Sequence, residues 1–283
     1  MKTVAIAGVG LIGGSFGLAL REAGFSGRIL GVSSPTTIEK AIARGAIDEG
    51  VTLAEAVVEA DLMLLAQPIS VILRTLPQLA GLMQPDALVT DAGSTKRRIV
   101  EAGTQALGGG FLGGHPMAGK ESRGVDVAEA ELFRGRPWLV TPRENKDLEG
   151  LRAREFLFWV ERIGAHVVVC SAEEHDRRVA RSSHLPQMLS TTLGRELGAR
   201  ADREAIVGAA GPGLMGMTRL ALSAWPIWKD ILATNGDYIA EALREFQGEL
   251  DATVRQLAAG ELEQVFREGA SFAAQVRKPE ASS

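Results

Sequence analysis

One of only four histidines in this 283-residue chain, His115, stands in the run Gly113-Gly114-His115-Pro116-Met117-Ala118-Gly119. Pro116 keeps the residue before it out of the helical region, and the glycines put no bulky side chain over it, so a ligand should reach the imidazole. A neutral imidazole, with an unperturbed pKa of about 6.5, can move a proton near neutrality. A second group capable of chemistry, Ser94, ends the run Asp91-Ala92-Gly93-Ser94 after the apolar stretch Leu88 to Thr90. A third feature lies near the N-terminus, where Val4 to Ala7 reads as a buried strand running into Gly8-Val9-Gly10-Leu11-Ile12-Gly13 and then an apolar helix to about Ala23. This is the G-x-G-x-x-G turn in the context that gives it meaning. Gly8 permits the tight turn, Gly10 lets backbone approach a pyrophosphate, Gly13 lets helix pack on strand, and the helix N-terminus offers free N–H groups.

Positioning these groups requires a sheet, and strand and helix signals alternate up to about residue 169. Strands are expected at Arg28 to Val32, Asp61 to Ala66 (closed by Gln67-Pro68), Leu88 to Thr90, Phe111-Leu112, Trp138 to Thr141 and His166 to Val169. Helices are expected at Pro35 to Arg44, Ser70 to Leu82, after Ser94 to about Ala106, and about Leu148 to Ile163. Alternation of this kind predicts an α/β fold, a doubly wound Rossmann-type sheet with parallel strands, whose ligands bind beyond the strands' carboxyl ends. Ser94 and His115 both fall at such ends, His115 in the loop after its strand. Beyond Ser171 the strand signal stops and helices are expected at Ala172 to Leu197, Arg203 to Ala210, Met217 to Asn235 and Gly236 to Ala259. The organisation is therefore a dinucleotide-binding domain over residues 1–169 and an all-α domain over 170–283. A substrate cleft is expected between the two, and the second is expected, as helical domains of this kind often do, to supply a homodimer contact.

Composition narrows the function classes. At 46% hydrophobic, 23% charged and a formal charge of −4, the chain has the balance of a soluble globular protein, and its small basic clusters sit among acids. A nucleic-acid partner is not expected. The uncharged run from Val4 to Leu20 breaks at glycines, unlike a secretory signal, and nothing else approaches a membrane span. The single cysteine, Cys170, can form no intrachain disulfide, which fits the cytoplasm. No metal site is expected, because no histidines or acids stand at ligand spacing near Cys170.

Six motifs stand in register: Gly10 to Ser15, Asp91-Ala92-Gly93-Ser94-Thr95-Lys96, Gly114-His115-Pro116-Met117-Ala118-Gly119-Lys120-Glu121, Ser183-His184-Leu185-Pro186, Thr218-Arg219 and Trp228-Lys229-Asp230-Ile231. With them the chain resembles the prephenate and arogenate dehydrogenases of tyrosine biosynthesis over nearly its whole length. The resemblance implies oxidative decarboxylation. A hydride leaves the ring carbinol carbon for a nicotinamide, carbon dioxide departs and the ring becomes aromatic. It assigns His115 as general base, Ser94 as partner of the substrate hydroxyl and Arg219 as the cation that grips a carboxylate. His184, Gln187, Lys120 and Glu121 are expected to complete the substrate site, with His184 and Gln187 on one helical face and Pro186 bending the helix between them. Trp228 matches a family tryptophan near the site, although core packing explains it equally. His175 lies opposite His184 on a straight helix and is read as structural, as is His166.

Two departures bear on specificity. Gln187 stands where many members have a histidine, and Met215-Gly216 replaces a basic-acidic pair. Arogenate carries an ammonium that a nearby acid would favour, and Ala209 to Met217 contains none, which favours prephenate. For the cofactor, Ser33 and Ser34 occupy the end of the second strand where an acid normally binds the ribose hydroxyls of NAD. Without that carboxylate NADP is admitted, and NADP is favoured over NAD. Gly8, Gly10, Leu11, Ile12, Gly13, Ser33, Ser34, Gln67 and Pro68 are the expected cofactor contacts. Two other classes remain: a hydroxyacid dehydrogenase, which would use a lysine of the helical region, where Lys229 stands, and a non-catalytic dinucleotide sensor.

Overall fold

The computed structural model describes residues 1–120 and 122–277. Eight strands form one sheet in the order β3-β2-β1-β4-β5-β6-β7-β8. They are β1 (Thr3–Ala7), β2 (Arg28–Val32), β3 (Glu49–Gly50), β4 (Leu62–Leu65), β5 (Leu88–Asp91), β6 (Phe111–Pro116), β7 (Pro137–Thr141) and β8 (His166–Val169). The helices between them are α1 (Leu11–Glu22), α2 (Pro35–Ala43), α3 (Leu53–Glu59), α4 (Ile69–Leu79), α5 (Arg97–Leu107) and α6 (Leu151–Arg162). β4 and β5 are buried along their whole length, as strands covered by helices on both faces must be. The core gathers Ile6, Phe16, Leu20, Leu62, Leu64 and Phe156 around the fully buried Trp138, whose ring lies 5.7 Å from Phe16 and 5.3 Å from Phe133.

The strands β1 to β6 pair in parallel, whereas β7 runs antiparallel to β6. This corrects the expectation of a uniformly parallel sheet. Between Pro116 and Pro137 the described chain makes only two short 3-10 turns, Val125–Val127 and Ala130–Phe133. No crossover helix forms, so the chain returns beside the strand it left. The antiparallel partner also lengthens β6, pairing Gly113 with Thr141, Gly114 with Val140 and His115 with Leu139. His115 therefore lies within the end of a strand and not in the loop after it. A rigid ladder holds its backbone.

Beyond β8 come α7 (Ala172–Val179), a π turn (Ala180–His184), α8 (Leu185–Gly198), α9 (Arg203–Gly208), α10 (Pro212–Thr218), α11 (Trp225–Ala259) and α12 (Glu263–Arg277). The single helix expected over Ala172 to Leu197 is thus divided by the π turn. Pro186 stands just after the π turn, and the backbone is helical at both His184 and Leu185, so the chain passes from the π turn into α8 without a free helix end. The helix expected from Met217 is likewise replaced by a 3-10 turn at Arg219–Leu222 and a new start at Trp225-Pro226. α11 runs through a kink at Asn235 (φ −138°, ψ 19°) that the sequence reading placed as a break, and α12 was not expected.

Packing divides the chain into two compact units, Met1–Gly236 and Asp237–Ser283. The change from strands to helices falls at residue 170, but α7 to the beginning of α11 form one body with the sheet. In the second unit Leu250, Val254, Leu257, Phe266, Phe272 and Val276 are exposed. No helix among the described residues is long and apolar enough to cross a membrane.

Candidate active site

At the carboxyl end of β1, Gly8 has φ +94°, and a Cβ there would stand 2.7 Å from the Ala66 carbonyl oxygen at the end of β4. Only glycine fits that turn. Gly13 lies under the Gly8 carbonyl, where a Cβ would come within 2.3 Å, while beside Gly10 there is open space. The cap residue of α1, Gly10, offers no side chain to the first-turn N–H groups. An open approach above an uncapped helix N-terminus, at the point where the sheet order reverses between β1 and β4, suits a dinucleotide pyrophosphate. Leu11 and Ile12 begin α1, and Pro68 caps α4 with Gln67 beside it, its Oε1 accepting from Thr75 at 3.3 Å. Ser33 and Ser34 are exposed after β2, and the Ser34 hydroxyl lies 2.9 Å from that of Thr37.

Two strands further along, the loop from Asp91 to Lys96 is fixed at both ends. Lys96 and Asp91 are fully buried and form an ion pair; the Lys96 ammonium also donates to the Gly114 carbonyl at 2.8 Å. Asp91 in return accepts from the Gly114 N–H at 3.1 Å and the Gly93 N–H at 2.8 Å. This clamp seizes the peptide on each side of Gly114, where a Cβ would lie 2.6 Å from the Asp91 carbonyl oxygen. It sets the residue that follows, His115. Ser94, half-buried, occupies the middle of the same loop, and Lys96 takes the cap position of α5.

The cap of α5 comes from elsewhere in the chain. After β8, Ser171 and Glu174 form a reciprocal capping box, with the Glu174 N–H on the Ser171 hydroxyl at 3.1 Å and the Ser171 N–H on the Glu174 carboxylate at 3.0 Å. That start fixes the register of α7 and turns His175 and Asp176 inward, both fully buried. The Asp176 carboxylate accepts from the Lys96 N–H at 2.6 Å and the Arg97 N–H at 3.0 Å, at the positive end of α5. It also meets His175 Nδ1 at 2.8 Å, and His175 Nε2 in turn lies 2.8 Å from His115 Nδ1. A continuous chain of hydrogen bonds therefore joins α5, α7 and the end of β6.

The beginning of α11 closes this arrangement. Asp230 accepts from the Ser70 N–H at 2.8 Å, and the hydroxyls of Thr95 and Thr234 are 2.7 Å apart. Asn235 donates to the Asp176 carbonyl at 2.9 Å and lies 3.3 Å from His184 Nδ1. The His184 ring stands edge-on to Trp228, with centroids 5.7 Å apart.

Burial pushes the His115 pKa well below its usual value, and His175, Lys96 and His184 push it in the same direction. This corrects the expectation of an unperturbed imidazole. Burial likewise lowers His175 despite its bond to Asp176, and lowers His184 to about 4. For Asp176, burial raises the pKa, but the His175 hydrogen bond and the Arg97 and Lys96 amides outweigh it and hold the group below the ordinary carboxylate range. At neutral pH the site thus holds three neutral imidazoles around an ionised carboxylate.

The other expected substrate residues lie as follows. Gln187 is buried and donates to the Leu220 carbonyl at 2.7 Å and the Thr191 hydroxyl at 3.0 Å, tying α8 to the turn that carries Arg219. Arg219 itself is exposed on that turn. Lys120 is exposed, paired with Glu129 at 2.6 Å and donating to the Val127 carbonyl at 3.1 Å. Glu121 lies outside the described residues. His166 is part-buried in β8.

Sequence reasoning missed His175 and Asp176. It set His175 opposite His184 because nine residues of straight helix make two and a half turns. The π turn between them takes an extra residue and rotates the two toward each other. The legible signal was the capping pattern Ser171-x-x-Glu174, which fixes where α7 begins.

Comparison with known proteins agrees with this geometry. A family model described as "Prephenate dehydrogenase, nucleotide-binding domain" matches residues 16–169, and one described as "Prephenate dehydrogenase, dimerization domain" matches residues 171–269. The chain belongs to the prephenate dehydrogenase family. Its members are oxidoreductases that use a nicotinamide cofactor, and the turn at Gly8–Gly13 has the form such a cofactor needs. The prephenate dehydrogenase of Lactococcus lactis subsp. cremoris is 35% identical over 278 residues, covering 95% of this chain and 76% of that protein. Among solved structures, the prephenate dehydrogenase of A. aeolicus in complex with hydroxyphenyl propionate and NAD+ superposes with a TM-score of 0.88 at 31% identity, covering 97% of both chains. The arogenate dehydrogenase of Synechocystis superposes with a TM-score of 0.84 at 29% identity, covering 97% of this chain and all of that one.

Proposed function

We propose that the chain catalyses the oxidative decarboxylation of prephenate to 4-hydroxyphenylpyruvate, with His115 as general base. The observation that carries this reading is the meeting of three groups along one sheet edge. The dinucleotide turn ends β1, the Ser94 loop ends β5 and His115 ends β6, with only β4 between the first and second. A dinucleotide whose pyrophosphate is held at that turn would supply the nicotinamide that takes the hydride from the ring carbinol carbon. As the hydride leaves, the hydroxyl loses its proton to the His115 imidazole, and the Ser94 hydroxyl orients that hydroxyl. The electrons of the breaking carbon–carboxylate bond then complete the aromatic ring as carbon dioxide departs. Arg219 binds a substrate carboxylate with its planar fork.

Prephenate is preferred to arogenate in this reading because the stretch Ala209 to Met217 holds no acid to receive an ammonium. NADP is preferred to NAD because the exposed Ser33 and Ser34 offer hydroxyls and no carboxylate to repel a 2′-phosphate. The active form is a homodimer through the helical region, where Val207, Met215, Met217, Leu222 and Trp225 are exposed. A spectrophotometric assay with prephenate, arogenate and 3-hydroxy acids, each with both cofactors, tests the reading. Turnover of prephenate with NADP supports it. Turnover of a 3-hydroxy acid alone, or binding of the cofactor with no turnover of any substrate, overturns it.

A further inference from the structure

We infer that His175 and Asp176 are positioning residues that fix the tautomer of His115, so that Nε2 is its proton-accepting nitrogen. This rests on the base role of His115 and adds which atom performs it. Asp176 receives backbone N–H groups of Lys96 and Arg97 and the Arg97 Nε–H at 3.3 Å, so the carboxylate is ionised and can only accept. The hydrogen in its contact with His175 therefore sits on His175 Nδ1. Two lone pairs 2.8 Å apart would otherwise oppose each other. A neutral imidazole carrying hydrogen on Nδ1 has its lone pair on Nε2. That lone pair faces His115 Nδ1 at 2.8 Å, so His115 Nδ1 carries a hydrogen. The free lone pair of His115 is then on Nε2, the nitrogen that this chain of bonds does not use.

A second histidine in the same cluster is set the opposite way. Asn235 accepts from Arg97 at 3.4 Å through its oxygen and donates to the Asp176 carbonyl at 2.9 Å through its nitrogen, which fixes the orientation of the amide. Its NH2 group faces His184 Nδ1, so His184 accepts at Nδ1 and carries its hydrogen on Nε2. His115 and His184 are thus opposite tautomers. In the reaction, the substrate O–H bond breaks and an Nε2–H bond forms on His115. The imidazolium so made keeps its Nδ1–H on His175, with Asp176 beyond to offset the charge.

The test uses the full-length protein labelled with 15N-histidine, whose four histidines give four resolvable ring systems, assigned with His115→Asn and His184→Asn. At neutral pH the account expects His115 and His175 protonated at Nδ1 and His184 at Nε2. His115 found with its hydrogen on Nε2 overturns the proposal, whatever the activity. In His175→Leu, which has no acceptor for Nδ1–H, His115 should shift toward the Nε2–H form and kcat should fall about 10- to 10³-fold with the substrate KM little changed, less than removal of the base itself. His175→Gln, whose side-chain oxygen can accept, should restore part of both. A His115 tautomer unchanged in His175→Leu overturns the positioning role. If the tautomers are as expected but His115→Asn retains full turnover, the base reading fails and the tautomer assignment stands.

Discussion

The turn at Gly8–Gly13 and the relay around His115 lie at the same edge of one sheet but are built from different material. The turn is backbone: three glycines within six residues, an uncapped helix end and no side chain that must be ionised or oriented. The relay is side chains brought from far apart. His115 and His175 are 60 residues apart in sequence, Lys96 and Asp176 are 80, and Thr95 and Thr234 are 139. The difference teaches that binding a pyrophosphate asks for local shape, whereas holding a base at one protonation state asks for a buried and fully connected polar network. A change in either region should therefore leave the property of the other nearly intact.

The largest expected effect is in the relay. His115→Asn should lower kcat by about 10²- to 10⁴-fold while cofactor affinity, measured by fluorescence titration, stays near that of the parent. A large loss of cofactor affinity in this variant would mean that the two regions are not separable. Arg219→Gln comes next, acting through the substrate. Loss of a charge-assisted bidentate pair costs about 2 to 4 kcal/mol, so the prephenate KM should rise about 30- to 1000-fold with kcat little changed. An unchanged KM in the folded variant would send the carboxylate to another cation, with Lys120 and Lys229 next to test. Smaller still is Ser33→Asp beside the turn. It should move the ratio of kcat/KM from NADP toward NAD by about tenfold, because the new carboxylate repels a 2′-phosphate and accepts from ribose hydroxyls. It should leave the pH dependence of turnover where it was.

The same contrast explains what the sequence disclosed. The turn was legible because its residues are contiguous and their roles follow from backbone sterics alone; strands β2 and β8 were read to the residue for a similar reason, each being a short apolar run with clear flanks. Ser94 and His115 were legible as strand-end residues next to glycines. The network that holds them was not. Asp176 caps a helix that begins 79 residues before it, and no local pattern records such a pairing. The reversal of β7 was hidden because it depends on what the segment after Pro116 fails to form. His175 reads as structural on a straight helix, but the structure has a π turn there, and a one-residue change of pitch moves every later side chain to another face.

Burial within this network keeps His115 neutral and ready to accept a proton. The direct measurement is the pH dependence of kcat/KM for prephenate, taken where a substrate deuterium isotope effect shows hydride transfer to be rate-limiting. The groups facing the ring are His175 on α7, Lys96 at the start of α5 and His184 on the π turn. Together with burial, which weighs most, they disfavour the imidazolium. A base that must be unprotonated loses activity as pH falls through its pKa, so a lowered pKa moves that loss to lower pH. The account predicts a level profile from about pH 8 to below about pH 6.5, with the acid limb only beneath it and absent in His115→Asn. An acid limb centred at or above about pH 6.5, or one that persists in His115→Asn, would contradict it.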